Sequence, residues 1–313
     1  MHRLDQPHDA FHQRALAVAI GTEQRDDLPA AHFQRDVVQR TLMLAAVTVF
    51  CTGAQASPRP VPAFGHAVVV VLENKARGEV LGNHDAPAFN AFARRGAVLG
   101  GYRGVTHPSL PNYLALVSGS THGISSDCTS CTVAGRSLAD TLAARGRTWK
   151  TYAEGLPRPG WTGASSRRYA KKHVPFLYFR RVLARPTWLR RVVPLSRLSR
   201  DLAARRLPAF SLVVPDLCHD MHDCSVATGD AWLRSFLPRL LKVANTAVFV
   251  VFDESDSGDP GVPALALGPL VRPGSHFRPA MSHYGLLRTV EDGLGLPRLG
   301  RSAGAAPVTG IWH

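Results

Sequence analysis

Three runs of β-branched and aromatic residues do most to limit what this chain can become: His66–Leu72 (HAVVVVL), Ala209–Val214 (AFSLVV) and Thr246–Phe252 (TAVFVVF). None alternates polar with apolar, so each predicts a strand covered on both faces. Helical patterns separate them, over Ala86–Arg95, over Ser137–Ala144 with Gly146 closing it, over about Gly229–Val243, and from the cap Ser282 to about Asp292. Shorter strands are expected at Ala97–Tyr102, Thr148–Ala153 and Val262–Leu267. Strands alternating with helices specify an α/β chain, a three-layer α/β/α fold with a mostly parallel central sheet. No Gly-rich dinucleotide or P-loop fingerprint accompanies the strands, which argues against nicotinamide and nucleoside-triphosphate enzymes.

Composition closes off other classes. With 45% hydrophobic and 19% charged residues, the 313-residue chain has too much apolar content for a disordered tail. Its 27 Gly and 23 Pro exclude a coiled coil, and no apolar run approaches the roughly 20 residues of a spanning helix. Residues 35–56 have the parts of a secretory signal: Arg35 and Arg40, the apolar block LMLAAVTVFC, then Ala54-Gln55-Ala56. Residues 1–34 read as a doubtful leader, with the true start near Val37 or Val38; amino-terminal sequencing of the exported protein tests this. The remaining chain, 57–313, reads as one domain. Its four cysteines fall in two close pairs, Cys128 with Cys131 and Cys218 with Cys224, which suits two local disulfides in an oxidising compartment. The rival for Cys128-x-x-Cys131 is a zinc site, but the second pair has poor ligand spacing.

The net charge of +14 points to an anionic partner. Most of it sits in one insertion, residues 158–206, where fourteen Arg and Lys face a single acid, Asp201. Trp161, Tyr169, Phe176, Tyr178, Phe179 and Trp188 are interleaved with them. Such a stretch either covers a sheet edge or contacts an anionic surface or substrate. Without a helix-turn-helix, zinc-finger or RNA-binding signature, nucleic acid is not the expected partner.

In an open α/β sheet, ligands sit beyond the carboxyl ends of the strands. Those ends carry Glu73-Asn74, then Thr106–Tyr113 (THPSLPNY), then Pro215–Cys224 (PDLCHDMHDC), then Asp253–Asp256 (DESD). Each has a dull explanation alone, as a cap, a turn or a surface group. Four together form a donor set suited to a divalent cation such as Zn, Mn, Mg or Ca. Ser109 lies at the start of a helix whose first turn holds Pro111, where free N–H groups favour a phosphate.

The strings VVVVLENK, THPSLPNYLALVSGSTHGI, PDLCHDMHDCSVATGDAWL, FVVFDES and SHYGLLRTVED resemble the bacterial phosphoesterase family of acid phosphatases and non-haemolytic phospholipases C, within the alkaline-phosphatase superfamily. The resemblance runs from about His66 to Gly300. It implies an alkaline-phosphatase-like fold and a secreted, metal-dependent phosphoester hydrolase, with one or two divalent ions. By likeness, Glu73, Asn74, Asp253 and Glu254 bind metal together with Ser109, the nucleophile that becomes phosphorylated. Asp216, His219 and His283 match positions where the superfamily often places ligands of a second metal. Two departures are Ser255, where relatives carry Gly, and the long Arg-rich insertion.

The implied reaction is in-line attack by Ser109 on phosphorus, followed by hydrolysis of the phosphoserine. His107, His122, His219 and His222 are candidates to protonate the leaving oxygen, with His219 and His222 favoured by the close Cys218 and Cys224. The expected activity is that of a phosphomonoesterase on a phosphorylated small molecule or phospholipid, carried by a monomer. The alternatives are a phospholipase C or other phosphodiesterase, and a non-catalytic binder of anionic cell-surface polymer.

Overall fold

The computed structural model describes residues 60–257 and 259–313. The expected leader and signal, 1–34 and 35–56, lie outside them. Eight strands form the main sheet: β1 (His66–Leu72), β2 (Ala97–Leu99), β3 (Trp149–Ala153), β4 (Val192–Pro194), β5 (Phe210–Val214), β6 (Thr246–Phe252), β7 (Ala264–Leu267) and β8 (Ser275–Phe277). Their order is β8-β2-β7-β6-β1-β5-β3-β4. Only β7 runs antiparallel to its neighbours β2 and β6; the other pairings are parallel. The sheet is thus mixed but mostly parallel, and helices flank it.

The three runs that stood out in the sequence are the three central strands. Val68 pairs with Ser211 of β5 and Val248 of β6, and every residue of β5 and β6 is buried. This explains why none alternates: both faces lie against helices. The principal helices are α1 (Pro87–Arg95), α2 (Ser109–Ser118), α3 (Leu138–Ala144), α4 (Arg197–Ala203), α5 (Val226–Leu240) and α6 (His283–Leu294), with α1 packed on α5 and α2 on α6.

Three boundaries differ from expectation, each for a local reason. The strand expected over Ala97–Tyr102 is split: Ala97–Leu99 joins the main sheet, while Tyr102–Arg103 pairs with Met281–Ser282. Gly101 makes the break, since a Cβ there would lie 2.1 Å from the Pro279 carbonyl oxygen. Helix α5 starts three residues before Gly229, because Ser225 caps it by accepting from the Thr228 amide. The expected strand from Val262 narrows to Ala264–Leu267.

The basic insertion is less peripheral than its charge suggests. It supplies the edge strand β4, and Tyr169, Phe176, Tyr178 and Phe179 are all buried in the core. Phe176 packs on Trp149 with ring centroids 4.6 Å apart. These aromatics therefore hold the segment to the sheet and are not a contact surface. Eleven of its fourteen cationic side chains are exposed; Lys171, Lys172 and Arg191 are the exceptions.

Helix α2 carries Ser109 at one end and stops at Gly119, which adopts φ 71°. A Cβ at Gly119 would meet the Leu299 carbonyl oxygen at 2.0 Å. Left-handed strain and this backbone clash add, so Gly119→Ala is expected to cost about 3 kcal/mol, read as a lower urea midpoint with unchanged slope. A loss below about 1 kcal/mol would show that the helix end yields freely.

Candidate active site

The carboxyl ends of β1 and β6 lie side by side, and backbone bonds stitch them together. Asp253 N–H donates to the Leu72 carbonyl (3.0 Å), and Glu73 N–H to that of Asp220 (2.8 Å). Asp253 Oδ1 accepts from the amides of Asn74 (3.2 Å) and Glu254 (2.7 Å). Parallel pairing of the central strands thus brings Glu73, Asn74, Asp253 and Glu254 together although 179 positions separate the first two from the last two.

Ser109 is the first residue of α2, and the loop before it is tied to the helix by Asn112. The Asn112 Oδ1 accepts from the amides of Val105 (2.8 Å) and Thr106 (3.1 Å), while Nδ2 donates to the carbonyls of Thr106 (2.7 Å) and Pro108 (3.1 Å). Ser109 is 1% exposed. Its hydroxyl faces Glu73 Oε2 at 3.0 Å and Glu254 Oε1 at 3.3 Å, two acceptors for one proton. One turn on, Tyr113 donates its hydroxyl to the other Glu73 oxygen.

Three groups that sequence reasoning did not single out complete the cluster: Tyr113, His173 and Asp220. His173, from the basic insertion, stacks on Tyr113 (5.2 Å between centroids, 14° between planes). Its Nε2 lies 3.3 Å from Glu73 Oε2, and its Nδ1 3.4 Å from Asp220 Oδ2. Glu73, His173 and Asp220 are wholly buried and offer donor atoms within 4.8 Å of one another. Tyr113 had a signal, since it sits on the same helical face as Ser109. His173 had none, one histidine amid fourteen cations.

The electrostatics explain what such a cluster needs. Burial, then the charges of Asp253 and Asp220, push the Glu73 carboxyl well above its ordinary range. Burial also raises Asp220 and Asp253, and burial with the charge of Asp253 lifts Glu254 to about 8. Burial lowers His173 to about 3, so it is neutral and brings no compensating charge. Asn74 Oδ1, Asp220 Oδ2, Asp253 Oδ2 and His173 Nε2 are buried without a hydrogen-bond partner. Unpartnered buried oxygens and an imidazole nitrogen, among carboxyls that burial hinders from ionising without a counter-charge, fit a hard or borderline divalent cation.

The other expected site residues fall elsewhere. Asp216 and His219 join Glu154 in a separate group, with His219 Nδ1 2.9 Å from Glu154 Oε2 and the ring stacked on Trp232. Asp216 Oδ1 accepts from the amides of Cys218 and His219, both at 3.0 Å, and that turn points Asp220, not Asp216, into the cluster. His283 has both ring nitrogens engaged, Nδ1 with the Tyr102 hydroxyl (2.8 Å) and Nε2 with the Asp253 carbonyl (2.7 Å). It braces the strand end from behind. Among the histidines, His107 Nδ1 lies 2.5 Å from Glu254 Oε2 with its side chain 67% exposed. His222 bonds Asp223 and Lys172, and His122 bonds Ser118 away from the cluster. Both cysteine pairs are disulfides, Cys128–Cys131 and Cys218–Cys224.

Known proteins share this arrangement of sequence and fold. The chain is 39% identical over 258 residues to the phosphatidylinositol-3-phosphatase of Mycobacterium tuberculosis, covering 80% of this chain and 84% of that protein. It is 31% identical over 227 residues to an acid phosphatase of Aspergillus fumigatus, spanning 67% of this chain and about half (51%) of that relative. A lipoteichoic acid synthase of Listeria monocytogenes shares the fold at TM-score 0.56 and 12% identity, over 78% of this chain and 75% of that one. So does a Vibrio parahaemolyticus protein of the alkaline phosphatase superfamily, at TM-score 0.54 and 14% identity, over 80% and 72% of the two chains. The model of the Phosphoesterase family matches residues 72–297, from the last residue of β1 past the end of α6 and so across every strand end that feeds the cluster. The chain therefore belongs to the phosphoesterase family, hydrolases of phosphoric esters.

Proposed function

We propose that the protein is an exported, divalent-metal-dependent phosphomonoesterase that works through a phosphoserine at Ser109. The observation that carries this reading is the Ser109 hydroxyl, buried at a helix amino end between Glu73 and Glu254 and beside orphaned carboxylate oxygens. Glu73, Asn74, Asp253 and Glu254 would hold the ion with Ser109, and Asp220 and His173 would add a further oxygen and nitrogen donor. When bound, such an ion supplies Lewis-acid neutralisation of the phosphoryl oxygens. The chain's own residues do the rest. Glu73 and Glu254 orient the Ser109 hydroxyl and are the acceptors for its proton as oxygen attacks phosphorus. Tyr113 fixes the Glu73 carboxylate, and the positive end of α2 favours the developing charge. His107, at the rim of a cavity of about 210 Å³ that it shares with Glu254 and Ser255, is the group we place as proton donor to the leaving oxygen, in preference to His219. Two disulfides support folding in an oxidising compartment.

The mycobacterial relative's name extends the substrate class to phosphoinositide monoesters. The exposed arginines of residues 158–206 would favour an anionic lipid surface. A panel of p-nitrophenyl phosphate, bis-p-nitrophenyl phosphate, p-nitrophenyl phosphorylcholine and phosphatidylinositol-3-phosphate vesicles tests this. Monoester turnover should dominate, vanish in chelator and return with Mn, Zn, Mg or Ca. Preferential cleavage of the diesters would replace this reading by the phospholipase C alternative, and no cleavage of any ester by that of a binding module.

A further inference from the structure

Next to Ser109 stands a pair of donors already occupied by an anion of the chain itself. The Leu110 amide, the second of α2, donates to Asp127 Oδ1 at 2.9 Å. The other oxygen of the same carboxylate accepts from Lys172 Nζ at 2.9 Å, and Lys172 also lies 3.3 Å from His222 Nε2. One carboxylate thus bridges a helix amino end and an ammonium, one residue from the nucleophile. A backbone N–H at a helix start beside a lysine is the donor set that binds phosphoryl oxygens.

We propose that Lys172 and the Leu110 amide form the seat of a non-bridging phosphoryl oxygen, and that Asp127 is a place-holder that occupies this seat until a phosphomonoester displaces it. The inference rests on the reading of Ser109 as nucleophile. It is supported by where Lys172 lies. Most cations of residues 158–206 are exposed, whereas the Lys172 side chain is 21% exposed and its sequence neighbour His173 is buried with an unpartnered Nε2 against Glu73. The seat is therefore filled in the free protein, one carboxylate oxygen on the Leu110 amide and the other on Lys172 Nζ.

The surrounding loop lets the side chain leave without the backbone moving. Asp127 precedes the Cys128–Cys131 disulfide, and Lys171 donates to the Thr129 carbonyl inside that small ring at 2.7 Å. Lys171 itself sits over the Tyr178 ring, 4.6 Å from its centre. Consecutive lysines divide the work, Lys171 pinning the loop and Lys172 holding the exchangeable anion. Asp127 is 27% exposed, so a rotation of its side chain reaches solvent. Exchange replaces one negative charge by the two of a phosphomonoester dianion, which favours monoesters over singly charged diesters.

The test is equilibrium binding of inorganic phosphate by calorimetry to the metal-loaded protein, at fixed pH and salt, in the wild type and in Ser109→Ala. Lys172→Met should weaken phosphate about tenfold or more, the size of a lost charge-assisted hydrogen bond, and Lys172→Arg should recover most of it. Asp127→Asn, isosteric and still able to accept from Leu110, should tighten phosphate severalfold because the competing charge is gone. It should also raise diester turnover relative to monoester turnover. If Asp127 is only a helix cap, Asp127→Asn will lower the melting temperature and leave phosphate affinity unchanged or weaker; that result, or unchanged affinity in Lys172→Met, overturns the proposal. Failure of the nucleophile reading appears separately, as retained turnover in Ser109→Ala with phosphate binding intact.

Discussion

Ser109→Ala is expected to lower phosphomonoester turnover by about 10⁴-fold or more while leaving the fold and phosphate binding in place. The size follows from the proposed chemistry, in which the variant lacks the attacking oxygen and leaves Glu73 and Glu254 no hydroxyl to orient. The fold should survive because the change removes a single oxygen. Ser109 opens α2, and Asn112 holds the entry loop independently of it. Steady-state kinetics read the loss, and intact-mass analysis of acid-quenched wild type should show one added phosphoryl group absent from the variant. Turnover within tenfold of wild type would remove Ser109 from the chemistry and point to a directly activated water.

The second large effect is that of divalent cation on stability, and it should grow with pH. Glu73, Asp220, Asp253 and Glu254 all have carboxyls raised in the folded protein, burial being the first cause for each. A carboxyl whose folded pKa is raised binds its proton more tightly folded than unfolded. Its contribution is therefore fully present below the unfolded value near 4 and is lost as pH rises through the folded value. For Glu254, 3% exposed and raised to about 8, the loss between pH 4 and 8 is at most about 5 kcal/mol. A bound cation takes over from the protons, so chelated protein should melt progressively lower from pH 5 to pH 8. Added cation should restore more at pH 8 than at pH 5. Asp253→Asn should shrink the cation-induced gain and flatten its pH dependence. A gain independent of pH would mean that the ion binds away from these acids.

How far the site was legible differs residue by residue. Glu73, Asn74, Asp253 and Glu254 follow directly on buried strands, and a parallel sheet sends such positions to one edge whatever the loops do. Ser109 was legible for a similar reason: Pro111 two residues on marks the start of a helix, and Asn112 and Tyr113 follow in the same turn. Asp216 and His219 lie apart from the Ser109 cluster, in a group of their own with Glu154, because a strand end gives direction only for the first residue or two. Beyond these the Asx turn of Asp216 and the Cys218–Cys224 bridge decide which acid turns inward, and they choose Asp220.

What the sequence alone determined is the frame: alternating strands and helices, a covered mostly parallel sheet, a serine at a helix start and acids at two strand ends. All of these follow from patterns within some ten residues, where backbone geometry and solvent exclusion act locally. The tertiary structure alone decided that His173 of the basic insertion reaches Glu73, that Asp127 joins Lys172 to the Leu110 amide of the Ser109 helix, and that His283 supports from behind. Those placements depend on contacts between segments tens to nearly two hundred residues apart. Charge and composition made the insertion look like a surface attachment, but its buried aromatics drew it onto the sheet and brought one histidine and two lysines inward with them.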